Sequence, residues 1–190
     1  SKQRTLNSLK ILSVFSQLVG KLNSKNIEFY TLKGIHLNLR YYKDVSLRPI
    51  RDIDVLVKEN YLYDFLETAY DLGFRFISNV LLHPTDYAPS NYSHETCTLV
   101  KDGVHLEVHN RILDTKYDTI NLSEEVLISE YSEIDFLNSK LKVLTPENLI
   151  IHIVYHATLK NGFDNGAISL CDVSKILDSE EIDYDLLLSA

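Results

Sequence analysis

A chain of 190 residues has room for one generous domain or an α/β domain with a helical appendage, and an apolar fraction of 45% is enough to fill a core, which excludes wholesale disorder. The net charge of −8 argues against general affinity for nucleic acid, and no long nucleic-acid partner is expected. No run of 18 apolar residues offers a membrane span, and Cys97 and Cys171 are too few for a disulfide framework or a zinc site of their own.

The N-terminal "SKQRTLNSLK" lacks the apolar region of a secretory signal, so the expected location is cytoplasmic. There is no methionine, so residue 1 is not expected to be the translation start. Charge is unevenly placed. Residues 1–60 hold 11 Lys/Arg and 5 Asp/Glu, whereas residues 61–190 hold 8 and 22. The basic first part hints at an anionic ligand.

Leu6, Leu9, Leu12, Phe15, Leu18 and Leu22 recur at helical spacing and predict an amphipathic helix over 5–23. "NIEFYTL" (26–32) reads as a strand, and "KGIHLNLRYYK" as a helix entered through Gly34. "IRDIDVLV" (50–57) is the second strand. "ENYLYDFLETAYDLG" (59–73) is a helix closed by Gly73, followed by a strand at "FRFIS". Two prolines and several turn residues make 81–91 a loop. "SHETCTLV" and "VHLEVHN" flank Asp102-Gly103, a strong hairpin signal.

The character changes near 121. Helices are expected at "TPENLIIHIVYHATLK", with Thr145 as N-cap and Pro146 in the first turn, then at "ISLCDVSKIL" and "YDLLLSA". The expectation is an α+β fold with an α/β-type core: a mixed-sheet core over residues 1–120, then a helical region over 121–190. The abrupt end of its last apolar run suggests that the native chain is longer.

Four charges crowd the entrance of the second strand: Arg48, Arg51, Asp52 and Asp54. Alternation puts Asp52 and Asp54 on one face, about 7 Å apart, and turns Ile53, Val55 and Val57 into the core. Two carboxylates on one face repel unless a cation lies between them, and hard divalent ions such as Mg²⁺ favour carboxylate oxygen and phosphate. Arginine forks match phosphate. Glu107 offers a third carboxylate if its strand lies beside residues 52–55. His105 and His109 share its face and are possible further ligands. His152 and His156 share a helical face without the glutamate of a metalloprotease motif. They read, with His83 and His94, as surface or packed residues, with a cleft lining as the lesser alternative for His156, and Tyr41 and Tyr42 read as packing.

"LKG" at 32–34, a helix, "RPIRDIDVLV", a helix ending in "LGF" and then "HLEVHN" together resemble a family of bacterial nucleotidyltransferases with the DNA polymerase beta-like fold. The resemblance spans residues 27–115 well and the helical tail more loosely. It implies that Asp52, Asp54 and Glu107 are catalytic and hold Mg²⁺ or Mn²⁺. It further implies that an NTP, ATP above all, donates its NMP to an acceptor with release of pyrophosphate. The superfamily has Gly-Ser or Gly-Gly where this chain has Lys33-Gly34. Lys33 would substitute as a point charge, and Gly34 would let the backbone approach the phosphates. Arg48 and Arg51 are placed near the triphosphate on chemical grounds. The resemblance leaves the acceptor open among a small molecule, a protein side chain and an RNA end; the acidic second half disfavours a long RNA and favours a cationic acceptor, so a small molecule or a protein is expected. Other readings are a non-catalytic nucleotide-binding module, an interaction protein of the toxin–antitoxin type, and a metal-dependent hydrolase using His105, Glu107 and His109.

Overall fold

The structure is a computed structural model describing residues 2–77, 83–86, 95–112, 130–160, 162 and 167–189. Helix α1 (Lys2–Ser24) leads into the short strand β1 (Tyr30–Thr31). Helix α2 (Lys33–Leu37) continues into a π-helical turn over Asn38–Tyr42. Strand β2 (Ile53–Leu56), helix α3 (Glu59–Asp71) and strand β3 (Arg75–Phe76) follow. Strands β4 (Glu95–Lys101) and β5 (Val104–His109) form the expected hairpin, and both turn residues have positive φ, 51° at Asp102 and 74° at Gly103, as a tight two-residue turn requires.

One expectation needs correction. Within the stretch read as helical from 121, residues Tyr131–Phe136 and Ser139–Leu144 are strands β6 and β7 of a second hairpin. Strand β6 is an edge strand whose side chains are mostly exposed or half-buried until Phe136, so its inward alternation at Ile134 and Phe136 is masked by Glu133 and Asp135. Helices occupy the end of the chain: α4 (Pro146–Tyr155) with a π-helical extension at His156–Lys160, α5 (Ile168–Leu177) and α6 (Tyr184–Ser189). The Thr145 hydroxyl caps α4 by accepting from the Asn148 N–H at 3.4 Å. The predicted loop at 81–91 and His94 fall largely outside the described residues; within that loop, Pro84–Asp86 forms a short 3₁₀ turn.

The seven strands form one mixed sheet in the order β3-β4-β5-β2-β1-β7-β6. Strands β2 and β5 run parallel, as do β1 and β7; the other neighbours are antiparallel. Each face of the sheet has its own core. Ile53, Val55, Leu106 and Val108 pack with Phe15, Leu18, Leu22, Phe65 and Phe74, on the side of α1 and α3. Leu56 packs with Leu37, Leu149, Ile153 and Ile176, on the side of α2, α4 and α5. Because strand side chains alternate, Asp54, Glu107 and His109 belong to this second face. The C-terminal helices therefore cover the face that carries the acidic residues.

Candidate active site

The pairing of β2 with β5 sets Asp54 opposite Glu107 and Leu56 opposite His109. The adjacency left open by the sequence is thus supplied by sheet register. One oxygen or nitrogen from each of Asp54, Glu107 and His109 lies within 4.8 Å of the others. His109 Nε2 is 3.2 Å from Asp54 Oδ1 and 3.8 Å from Glu107 Oε2. Asp52 precedes the first residue of β2 and stands half-buried at the strand's entrance.

Lys33, the first residue of α2, reaches Asp54, donating from Nζ to Oδ1 at 2.7 Å. Its backbone is left-handed, with φ of 39°. A non-glycine residue held in that region is strained, which is common where a side chain must be aimed at a site. Gly34, next to it, has no room to spare: a Cβ there would lie 3.3 Å from Arg48 Nη1.

The charges tune one another. Burial raises the Asp54 carboxyl, but the Lys33 ammonium and His109 outweigh it and hold Asp54 well below the usual carboxylate range. Burial disfavours the Lys33 charge, yet the attraction of Asp54, Glu107 and Asp52 prevails and raises its pKa. Asp52 is pushed up to about 6, first by burial and then by the Asp54 charge, against the pull of Lys33, Arg48 and Arg51.

A cleft of about 300 Å³ opens over these groups, lined by Lys33, Gly34, Arg51, Asp52, Asp54 and Glu107 on the sheet side and by His152, His156 and Asp172 on the helical side. Arg48 lines it too, but its guanidinium is gripped by Asp172 of α5. Nε donates to Oδ1 at 2.8 Å and Nη2 to Oδ2 at 2.9 Å, and the Tyr42 hydroxyl donates to the same carboxylate at 2.9 Å. Arg51 is exposed at the rim. His105 is exposed on β5 and, among the described residues, takes no part in the carboxylate–histidine group.

The far wall of the cleft carries few signals in the sequence. In the sequence Tyr42 reads as packing and His152 as a surface or packed residue, and no motif marks Asp172. Asp172 stands 124 positions from Arg48 and 130 from Tyr42, and only the tertiary fold brings them together. The one available hint was the i, i+4 spacing of His152 and His156 on a helix. Among the described residues no helix is long and apolar enough to cross a membrane.

The chain belongs to a family described as uncharacterised nucleotidyltransferase, which it matches over residues 1–190. No curated protein matches it. Its fold is similar to that of an antigenic nucleotidyltransferase-like protein from Paracoccidioides brasiliensis, with TM-score 0.59 and 17% identity over 90% of this chain and 77% of that one. It is similar also to ANT(2″)-Ia in complex with adenylyl-2″-tobramycin, with TM-score 0.63 and 12% identity over 94% of each chain. The polyadenylate synthase of Megavirus gives TM-score 0.52 and 11% identity over 94% of this chain and 33% of that one. At such identities the likeness is one of fold.

Proposed function

We propose that this member of the nucleotidyltransferase family is a metal-dependent enzyme that moves an NMP group from an NTP, with ATP the expected donor, to a small molecule or a protein. Pyrophosphate is the other product. The observation that carries the reading is the convergence of Asp52, Asp54 and Glu107 in one cleft with Lys33, Gly34 and Arg51.

The donor set fits a hard divalent cation. Three carboxylates line a single cleft, and the repulsion between Asp52 and Asp54 marks negative charge that a cation would relieve. Asp54 and Glu107, whose oxygens lie within 4.8 Å of each other and of a His109 nitrogen, would hold Mg²⁺ or Mn²⁺ together with Asp52 at the strand entrance. When bound, the ion supplies charge neutralisation for the triphosphate and the leaving pyrophosphate.

The chain's own residues do the rest. Lys33 and Arg51 bring positive charge to the phosphates, and Gly34 keeps the backbone close to them. Glu107, half-buried at the cleft, would accept the acceptor's proton as the new P–O or P–N bond forms and the α–β phosphoanhydride bond breaks. Arg48 acts from behind: held by Asp172, it fixes the helical wall against the segment leading into β2. The acidic residues 61–190 favour a cationic acceptor. ANT(2″)-Ia, whose complex contains an adenylylated aminoglycoside, offers a precedent within the fold.

The test is label transfer. Each α-labelled NTP is incubated with the protein, Mg²⁺ or Mn²⁺, and fractionated small molecules and proteins. The reading expects label on an acceptor with matching pyrophosphate release, abolished in Asp54→Asn. Label that stays in the NTP under all conditions would contradict it.

A further inference from the structure

Two histidines are buried with both ring nitrogens lacking a hydrogen-bond partner among the described residues: His36 and His152. Leaving an imidazole in that state opposes folding, because its desolvated N–H and N find nothing in return. The two differ in what they face. His36 lies in α2 against Tyr41, with ring centroids 5.9 Å apart, and borders none of the described clefts. His152 lies 2% exposed on α4, and it lines the carboxylate cleft.

The orientation of His152 is built in. Its helix is capped at Thr145 and anchored by Leu149, Ile150, Ile153 and Tyr155, all buried, so the ring cannot turn away from the cleft at small cost. The next turn presents His156 on the same wall, with ring centroids 6.2 Å apart. Across the cleft stand Lys33 and Asp54.

We propose that His152 is a nucleotide-recognition residue, hydrogen-bonding an uncharged polar part of the bound NTP, its ribose hydroxyls or base, rather than its phosphates. This rests on the nucleotidyltransferase reading of the cleft. Charge for the phosphates already comes from Lys33 and Arg51. Burial, with the nearby Lys33 charge, holds the His152 ring well below its ordinary pKa, so at neutral pH it offers one donor and one acceptor but no charge. Such a group suits a hydroxyl or an amide edge. A site made to hydrogen-bond such a group discriminates against ligands that lack it.

The experiment is titration calorimetry of the full chain with ATP and, separately, with inorganic tripolyphosphate, both with Mg²⁺. The proteins compared are the native chain, His152→Leu, His152→Gln and His36→Leu, with thermal melts of each. His152→Leu is expected to weaken ATP at least tenfold, to leave tripolyphosphate within twofold, and to melt no lower than the native chain. His152→Gln, which keeps a donor and an acceptor, retains part of the affinity and serves if the leucine variant fails to fold. His36→Leu leaves both ligands unchanged. Unchanged ATP affinity in both His152 variants would overturn the proposal, as would an equal loss of ATP and tripolyphosphate. If the native chain binds neither ligand, the nucleotide reading itself falls and this inference with it.

Discussion

Asp54 and Glu107 are direct partners across the parallel pairing of β2 and β5, so the acidic site is a consequence of strand register. A slip of one residue would turn Glu107 to the opposite face, into the core formed with α1 and α3. The same pairing brings His109 to Asp54, and Lys33 arrives on Asp54 from α2. Asp54 is therefore both a candidate metal ligand and the anchor of a buried charge pair.

Replacing Asp54 by Asn should abolish transfer, by about a thousandfold or more, since roughly 4 kcal/mol of barrier lowering is at stake in a metal-assisted step. It should also destabilise the fold by about 3 kcal/mol, because Lys33, 16% exposed in its side chain, is left without its counter-charge. Adding Lys33→Met to Asp54→Asn should restore much of the stability and none of the activity. Urea unfolding of the single and double variants checks this. Additive losses of stability would show that the two groups do not depend on each other.

The Arg48–Asp172 fork predicts that the two residues act as one. Arg48→Ala and Asp172→Asn should each cost about 3 kcal/mol, and the double variant little more than either alone. Both should weaken ATP by similar factors, through loosening of the α5 wall. A direct contact between Arg48 and the triphosphate predicts otherwise: Asp172→Asn would free the arginine and tighten ATP. Binding measured in the two single variants separates these outcomes.

Gly34→Ala tests the close approach at the cleft floor. Its Cβ would stand 3.3 Å from Arg48 Nη1 and 3.9 Å from Ile50 Cγ2, so the guanidinium must shift by a few tenths of an ångström. A stability change within about 1 kcal/mol is expected for this small insertion, and about 2 kcal/mol of loss for Gly34→Val. ATP affinity should fall in both. Normal affinity in Gly34→Val would show that the backbone here does not approach the nucleotide.

His36 makes a pH prediction. Burial, and then the charge of Arg40, lowers its pKa from 6.5 to about 3. The unfolded chain takes up a proton near pH 6.5 that the folded chain refuses until about pH 3, so stability is lost as pH falls through that window. The slope from one such histidine is at most about 1.4 kcal/mol per pH unit. His36→Leu should flatten the acid limb of the stability curve between pH 6.5 and 4 and raise stability at pH 7. Urea midpoints at pH 7, 5 and 4 measure it, and an unchanged slope would contradict the burial argument.

Local chemistry made much of this legible in the sequence. Asp102-Gly103 announced its hairpin, Thr145-Pro146 announced the start of α4, and the alternation of Ile53, Val55 and Val57 fixed which way the second strand faced. The family resemblance then linked Asp52, Asp54 and Glu107, which the structure brings to one cleft. What stayed hidden depends on long-range packing. Strand β6 looks polar because it is an edge, so its hairpin is indistinct in the sequence from the helical tail that follows. Asp172 looks like an ordinary surface acid on α5 until the fold carries it to Arg48. His152 is unremarkable on a helix until that helix is laid against the carboxylate face.

The most direct test of the account is thermal stability with each NTP, with and without Mg²⁺, in the native chain and in Asp52→Asn/Asp54→Asn. A ligand that binds only the folded chain raises its stability by about 2.7 kcal/mol at a hundred times Kd. The account predicts a shift with at least one NTP, ATP first, that requires the metal and vanishes in the double variant. No shift with any NTP at millimolar concentration, or a shift that survives without metal and in the variant, would contradict it.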